Sequence, residues 1–382
     1  MNADNLAPRI AMAVFSLCVC VGAVAFRMHS ADLVGEPTLA HYQEALRGDS
    51  ANGYRWADVA EALAEAGRDA EARQAFTRAV ALSPGIPAVW LRYTNYCFFH
   101  NDTKTALPMA AHVLATVPDY DGILFHYFDR IVENPAAVLA AIGGDRRAAR
   151  AWLEHLIASN NSKAARSTWY RIVEAGFGDD KLAAGYVDYL LRVKAWDGAL
   201  TTWAEWLGKR RGPYPDRNLL FNGKFEMEPT AGALDWHITP DVDQFETALT
   251  KKNVTIRFLG KGNVTYDHLS QVAILPRAGT YRLTMRLKTE GITTNEGIRL
   301  AVTDLGLATE PISGTNDWMT APLDVTVDQA RAIRVAVLRR PSEKFDNKIA
   351  GTVWIDSVTL IPAITRVNTS KTWIALKKQG NK

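Results

Sequence analysis

Residues 56–84 read WADVAEALAEAGRDAEARQAFTRAVALSP, and the chain repeats this spacing 34 residues on. Trp56 falls on Trp90, Ala72 on Ala106, Ala79 on Val113 and Pro84 on Pro118. Further along, Trp152 falls on Tyr186, Ala165 on Ala199 and Trp169 on Trp203. A fixed period of this size marks a stack of helix pairs, each burying its apolar face against its neighbours. Gly67 and Asp69 sit where one helix must turn into the next. Ala72 and Ala79 allow close helix approach, and Pro84 ends the second helix because it lacks an N–H and clashes inside one. The Trp and Ala residues read as core packing, which makes a surface for partners the expected use of this half.

The unit Trp56, Val59, Ala60, Leu63, Ala72, Phe76, Ala79, Pro84 resembles the tetratricopeptide repeat, with Ala60 and Leu63 in place of the usual Gly and Tyr. The resemblance is fullest over 54–84, weaker over 88–118, and finds no register over 120–150. Two helix pairs return over 150–207, with second helices KAARSTWYRIV and DGALTTWAEWL. It implies protein partners held on an all-α solenoid over residues 36–210.

A chain of 382 residues exceeds one ordinary domain. Its net charge of +3 is too small for a nucleic-acid footprint. Of three cysteines, Cys18 and Cys20 lie in an apolar run, so Cys97 has no disulfide partner in the body of the chain. That run, Ile10–Phe26, carries no charge and is bounded by Arg9 and Arg27. Its length is at the short limit for a membrane-spanning helix and long for a signal-peptide core. Ala23-Val24-Ala25 has the form of a cleavage site. Residues 1–27 therefore read as a signal anchor or a signal peptide. Either exports residues 28–382 to the periplasmic or outer side of a cell envelope; a buried helix of a soluble domain is the third reading.

The segment RGPYPDR, 211–217, stops the helical pattern and reads as a linker. After it the period becomes two. Val254, Ile256 and Phe258 alternate with polar residues, as do Tyr281, Leu283, Met285 and Leu287, then Leu323, Val325 and Val327, then Ile333, Val335 and Val337. About eight such strands, separated by turn residues at 260–263, 278–279, 291 and 313–316, predict a β-sandwich of the jelly-roll kind over 218–362. The overall fold class is multidomain: a membrane helix, an all-α solenoid and an all-β sandwich. A basic tail over 363–382 carries Arg366, Lys371, Lys377, Lys378 and Lys382.

The opening NLLFNGKFEMEPTAGALDW resembles the first strand of carbohydrate-binding modules of families four and nine. The matching positions are Asn218, Leu219, Asn222, Gly223, Phe225, Glu226 and Trp236. The closing TVWIDSVTLIP resembles their last strand, around Asp356, Val358 and Leu360, and YDHLSQVAILPRAGTYRLTMRLKTEGI fits their middle. The two end segments cover about thirty of some 145 residues. The resemblance implies a surface polysaccharide as partner, and no cofactor except a structural calcium held by Glu226 and Asp356, since that ion takes several oxygen ligands. Sugar sites need aromatic faces beside polar groups. The expected ligand contacts are Trp318, Tyr266, His268 and Gln271, while Trp354 and Trp236 read as core.

No His-Glu-x-x-His, Gly-x-Ser-x-Gly or Walker-type run is present. Asp235, Asp241, Asp243 and Glu246 could supply a carboxylate pair for glycoside hydrolysis, but they read first as an acidic, solvated loop. The expectation is a non-catalytic envelope protein, resembling accessory proteins of exopolysaccharide production. A glycan hydrolase or lyase using the sandwich cleft and a protein-only assembly factor are the alternatives.

Overall fold

A computed structural model describes residues 38–363, apart from 231, 240–242 and 251–252. The Ile10–Phe26 run and most of the basic tail lie outside these. Among the described residues no helix is long and apolar enough to cross a membrane. The chain divides into two compact units, up to Phe177 and from Gly178 onward.

The first unit is helical: α1 (Leu39–Gly48), α2 (Gly53–Glu65), α3 (Asp69–Leu82), α4 (Pro87–Phe99), α5 (Thr103–Thr116), α6 (Asp121–Ile131), α7 (Pro135–Ile142), α8 (Arg146–Ala158) and α9 (Ser162–Glu174). Helix starts are marked by capping side chains, which satisfy amides that have no partner within the helix. Asn52 accepts from the amide of Tyr54, Asp102 from Thr105, Asp145 from Ala148 and Asn161 from Ala164. Helices α2 and α3, α4 and α5, and α8 and α9 pack as pairs. The 34-residue spacing has a physical counterpart. Ala72 and Ala106 are buried, as are Ala79 and Val113. The indoles of Trp56 and Trp90 each donate to the carbonyl of a serine that precedes their helix, Ser50 and Ser83.

The second unit begins with a helix pair, α10 (Asp180–Arg192) and α11 (Trp196–Leu207), and continues into two five-stranded antiparallel sheets. The strands are β1 (His237–Ile238), β2 (Phe245–Leu249), β3 (Val254–Leu259), β4 (Tyr266–Leu275), β5 (Gly279–Ile292), β6 (Arg299–Val302), β7 (Leu307–Ala308), β8 (Gly314–Val327), β9 (Arg331–Arg339) and β10 (Ala350–Pro362). One sheet runs β1-β4-β9-β6-β7 and the other β2-β3-β10-β5-β8. The alternating residues read from the sequence form the shared core: Val254, Ile256 and Phe258 on β3, Tyr281, Leu283, Met285 and Leu287 on β5, and Val325, Val335, Val337, Val353 and Val358 beyond. Among the described residues the strands number ten, against the expected eight or so. The expected turns at 291 and 313–316 are absorbed into the ends of β5 and β8, where backbone pairing continues through register shifts.

The expected linker at 211–217 does not separate the compact units. Tyr214 is buried against Phe221, ring centroids 5.8 Å apart, and Trp203 of α11 meets Phe221 edge-on at 5.8 Å. Asp188 of α10 accepts from the amide of Ala233 at 3.1 Å. The pair α10 and α11 therefore packs with the sandwich segment 214–233, and the prolines at 213 and 215 turn the chain without detaching it. A fragment of residues 178–382 should melt in one cooperative transition. Residues 212–382 alone should melt lower, because uncovering Phe221 forfeits roughly 1.5–3 kcal/mol of apolar burial. Equal melting temperatures for the two fragments would show that the helix pair adds nothing.

Candidate functional site

The opening segment of the sandwich, from Asn218, closes the fold. Asn218 is buried, and its Oδ1 accepts from the amides of Leu220 (3.1 Å) and Leu360 (2.8 Å) while its Nδ2 donates to the carbonyl of Val358 (3.3 Å). The amide of Val358 donates to the carbonyl of Gly223 at 2.7 Å. A Cβ at Gly223 would collide with the Val358 carbonyl. Asn222 exchanges two hydrogen bonds with the backbone of Met227, and its carbonyl accepts from the indole of Trp236. Phe225 packs on Trp236 at 5.1 Å.

Two of the expected ligand residues are buried in the sandwich. Tyr266 is 0% exposed, enclosed by Phe245 and Phe258. Gln271 is 1% exposed; its amide donates to the carbonyls of Phe221 (2.9 Å) and Leu234 (3.1 Å). Both face inward because the register of β4 shifts between Tyr266 and Leu269, which puts Tyr266 on the core side together with Leu269, Gln271, Ala273 and Leu275. His268 is half-buried, with its ring edge-on to Phe245 at 4.6 Å. Asp235 is fully buried rather than part of a solvated acidic loop. It accepts from Thr230 and Trp236, and burial pushes its carboxyl above the usual range, with those bonds opposing the shift. Glu246 lies 3.7 Å from Arg257, and Asp241 falls outside the described residues.

Trp318 is 40% exposed, but it lies on β8 rather than in a turn. Its setting is defined by β5. The inward residues of β5 from Tyr281 to Leu287 are apolar and Thr289 is buried beyond them, so Arg282, Thr284, Arg286, Lys288 and Glu290 face outward. Two β-bulges flank this strand. On β8, Leu287 pairs with Met319 and Thr289 with Asn316, so Asp317 and Trp318 together oppose Lys288. On β10, Ile355 pairs with Leu287 and Ser357 with Arg286, leaving Asp356 as the extra residue. Bulges re-aim side chains, and these two converge on one guanidinium. Arg286 stands over the Trp318 ring at 5.0 Å and donates to Asp356 at 3.0 Å.

Opposite the same Lys288, on the other side of β5, stands Trp354, which also pairs with Thr255 on β3. It is half-buried and outward-facing rather than core, with the Lys288 ammonium 5.9 Å from its ring centroid. The outer face thus carries two indoles with a cation beside each, the carboxylate of Asp356 next to Arg286, and threonine hydroxyls. Indole faces offer apolar area at little entropic cost, and the flanking charged groups offer hydrogen-bond donors and acceptors.

Asp356 has Arg286 and the hydroxyl of Ser357 as partners, and Glu226 is exposed on the opening segment. Among the described residues no group of three or more His, Cys, Asp or Glu side chains is placed to hold a metal ion. The sequence pairing of Glu226 with Asp356 for calcium thus meets a guanidinium already at the second carboxylate.

No protein-family model matches this chain, and no curated protein does. Among solved structures, one described as "CBM4 structure and function" is 18% identical and covers 38% of this chain and 99% of that one, with a TM-score of 0.25. "BiXyn10A CBM1 APO" is 12% identical over 34% of this chain and 88% of that one, TM-score 0.22. A family 29 carbohydrate binding module is 15% identical over 33% and 84%, TM-score 0.18. At these scores the likeness carries no weight for ligand or activity.

Chelation distinguishes the two accounts of Asp356. With Arg286 as its counter-charge, the melting temperature of the chain should be the same with and without EDTA. A drop of several degrees, abolished by Glu226→Gln, would restore the calcium site, since a bound ion at a hundredfold excess over its Kd contributes roughly 2.7 kcal/mol.

Proposed function

We propose that the protein binds a glycan, without cleaving it, on the outer face of the sheet that contains β5, β8 and β10. The observation that carries this reading is the exposed Trp318, re-aimed by a bulge and set beside Arg286, with Trp354 across β5 on the same face. A sugar ring stacks on an indole through its C–H faces and leaves its hydroxyls at the edges. Arg286, Lys288, Asp356 and Thr255 stand where such hydroxyls would meet donors and acceptors. The helical unit supplies the surface for a protein partner, and the apolar run Ile10–Phe26 directs the chain into the cell envelope. The combination of helical repeats with a sugar-binding face suits an accessory role in exopolysaccharide assembly or export.

The test is affinity electrophoresis of the purified chain through gels containing neutral or acidic polysaccharides, with product sizing of each polysaccharide after incubation. Retardation without shortening is expected in at least one gel. Trp318→Ala and Trp354→Ala should each weaken it about tenfold or more, taking roughly 1–3 kcal/mol per stacked ring by analogy with bases on aromatic side chains. Trp318→Ala should leave the melting temperature unchanged. Tyr266→Ala should instead destabilise the sandwich by about 3–5 kcal/mol as a core truncation. Shortened polysaccharide would establish the enzyme. No retardation in any gel, together with capture of a protein by the sandwich, would establish the assembly factor.

A further inference from the structure

The most exposed large apolar side chain among the described residues is Phe345, whose ring stands wholly in water (relative exposure 106%). It sits at the tip of the loop 340–349, between β9 and β10. This loop is fastened on both sides of the tip. Ser342 is buried; its amide donates to Asn263 Oδ1 at 2.8 Å and its carbonyl accepts from Asn263 Nδ2 at 2.8 Å. Its hydroxyl donates to Asn295 at 2.6 Å and accepts from the amide of Lys344 at 3.2 Å. On the returning side the carbonyl of Asn347 accepts from Arg339 at 3.3 Å, and that of Lys348 accepts from Thr293 at 3.0 Å. The amide of Ile349 donates to the carbonyl of Gly262 at 3.1 Å. Within 343–346 the amide of Lys344 is the one group that takes part in these ties. The fold therefore holds an aromatic ring out in solvent, although burying it would be favourable.

The charges around the ring say what it meets. Lys261, on the adjoining turn, and Arg340, Lys344 and Lys348 are all exposed, against Glu343 and Asp346. Among the described residues of the three neighbouring loops, 260–265, 293–298 and 340–349, no second large apolar side chain is exposed. A stable protein interface needs an apolar centre within roughly 800 Å² per partner, which one ring rimmed by ammonium groups does not supply. An aromatic ring surrounded by cations does match a membrane boundary, where the ring enters the headgroup region and the cations face anionic lipids. We propose that this end of the sandwich docks on an anionic lipid surface through Phe345, with Lys261, Arg340, Lys344 and Lys348 facing the headgroups. One ring and a net excess of two cations form a weak anchor alone. The contact orients a chain held at the surface by a second attachment.

The test places a reporter at the tip. In the full chain carrying Cys18→Ser and Cys20→Ser, Phe345→Cys is labelled with a polarity-sensitive dye; Cys97 is buried and stays unlabelled. Vesicles of equal parts phosphatidylglycerol and phosphatidylcholine should shift the emission to the blue and brighten it. Vesicles of phosphatidylcholine alone should do so less, and Lys344→Glu with Lys348→Glu should remove the difference, while circular dichroism stays unchanged. Emission that ignores both vesicles, or responds to both equally, overturns the proposal. A shift produced by a soluble polysaccharide and not by vesicles also overturns it, and would assign the loop to the glycan face.

Discussion

The side-chain amide of Asn218 is the constraint on which the sandwich depends. It occupies the place of a backbone ladder, taking the amides of Leu220 and Leu360 on its oxygen and giving its N–H to Val358. These are buried backbone groups, and an unpaired one costs about 1–3 kcal/mol. The segment 218–225 is thereby spliced to the end of β10, and Gly223 allows the close approach that the splice requires. Since β10 lies between β3 and β5, whatever fixes it also fixes the strand that carries Arg286 and Lys288. The residues that resemble a sugar-binding family's opening strand are thus occupied with holding the fold.

The outer face follows from the inner one. Once Leu283, Met285 and Leu287 are committed to the core, a strand's period of two sends Arg286 and Lys288 outward. Alternation alone would also send Asp317 inward, and Asp356 would keep the parity of its strand. The bulges on β8 and β10 break that regularity beside the same arginine, so the site is placed by departures from the pleat rather than by the pleat itself. The face and the loop that carries Phe345 also rest on separate supports. One stands on strand register, the other on the bonds of Asn263, Ser342 and Arg339.

The last helix pair belongs with the sandwich for a local reason. Phe221 lies within the opening segment but takes no place in the sandwich core cluster; its neighbours are Trp203 and Tyr214. Here the opening segment packs against Trp203.

What the sequence determined by itself was everything carried by local spacing. The 34-residue period gave paired helices with Ala72, Ala79, Ala106 and Val113 buried, and alternation gave the inward residues of β3, β5, β8 and β9. The exposure of Trp318 was legible too. The tertiary structure decided the rest, because it depends on partners far away in the chain. Gln271 and Tyr266 look like surface groups until carbonyls 50 and 37 residues away and the rings of Phe245 and Phe258 enclose them. Trp354 sits in a run apolar on both sides, and only its register with Lys288 and Thr255 puts it outside. Asp356 reads as a calcium ligand until a bulge delivers it to Arg286, 70 residues earlier. Strand parity can be counted along a chain; which strands become neighbours, and where their register slips, is fixed only when the two sheets close over a common core.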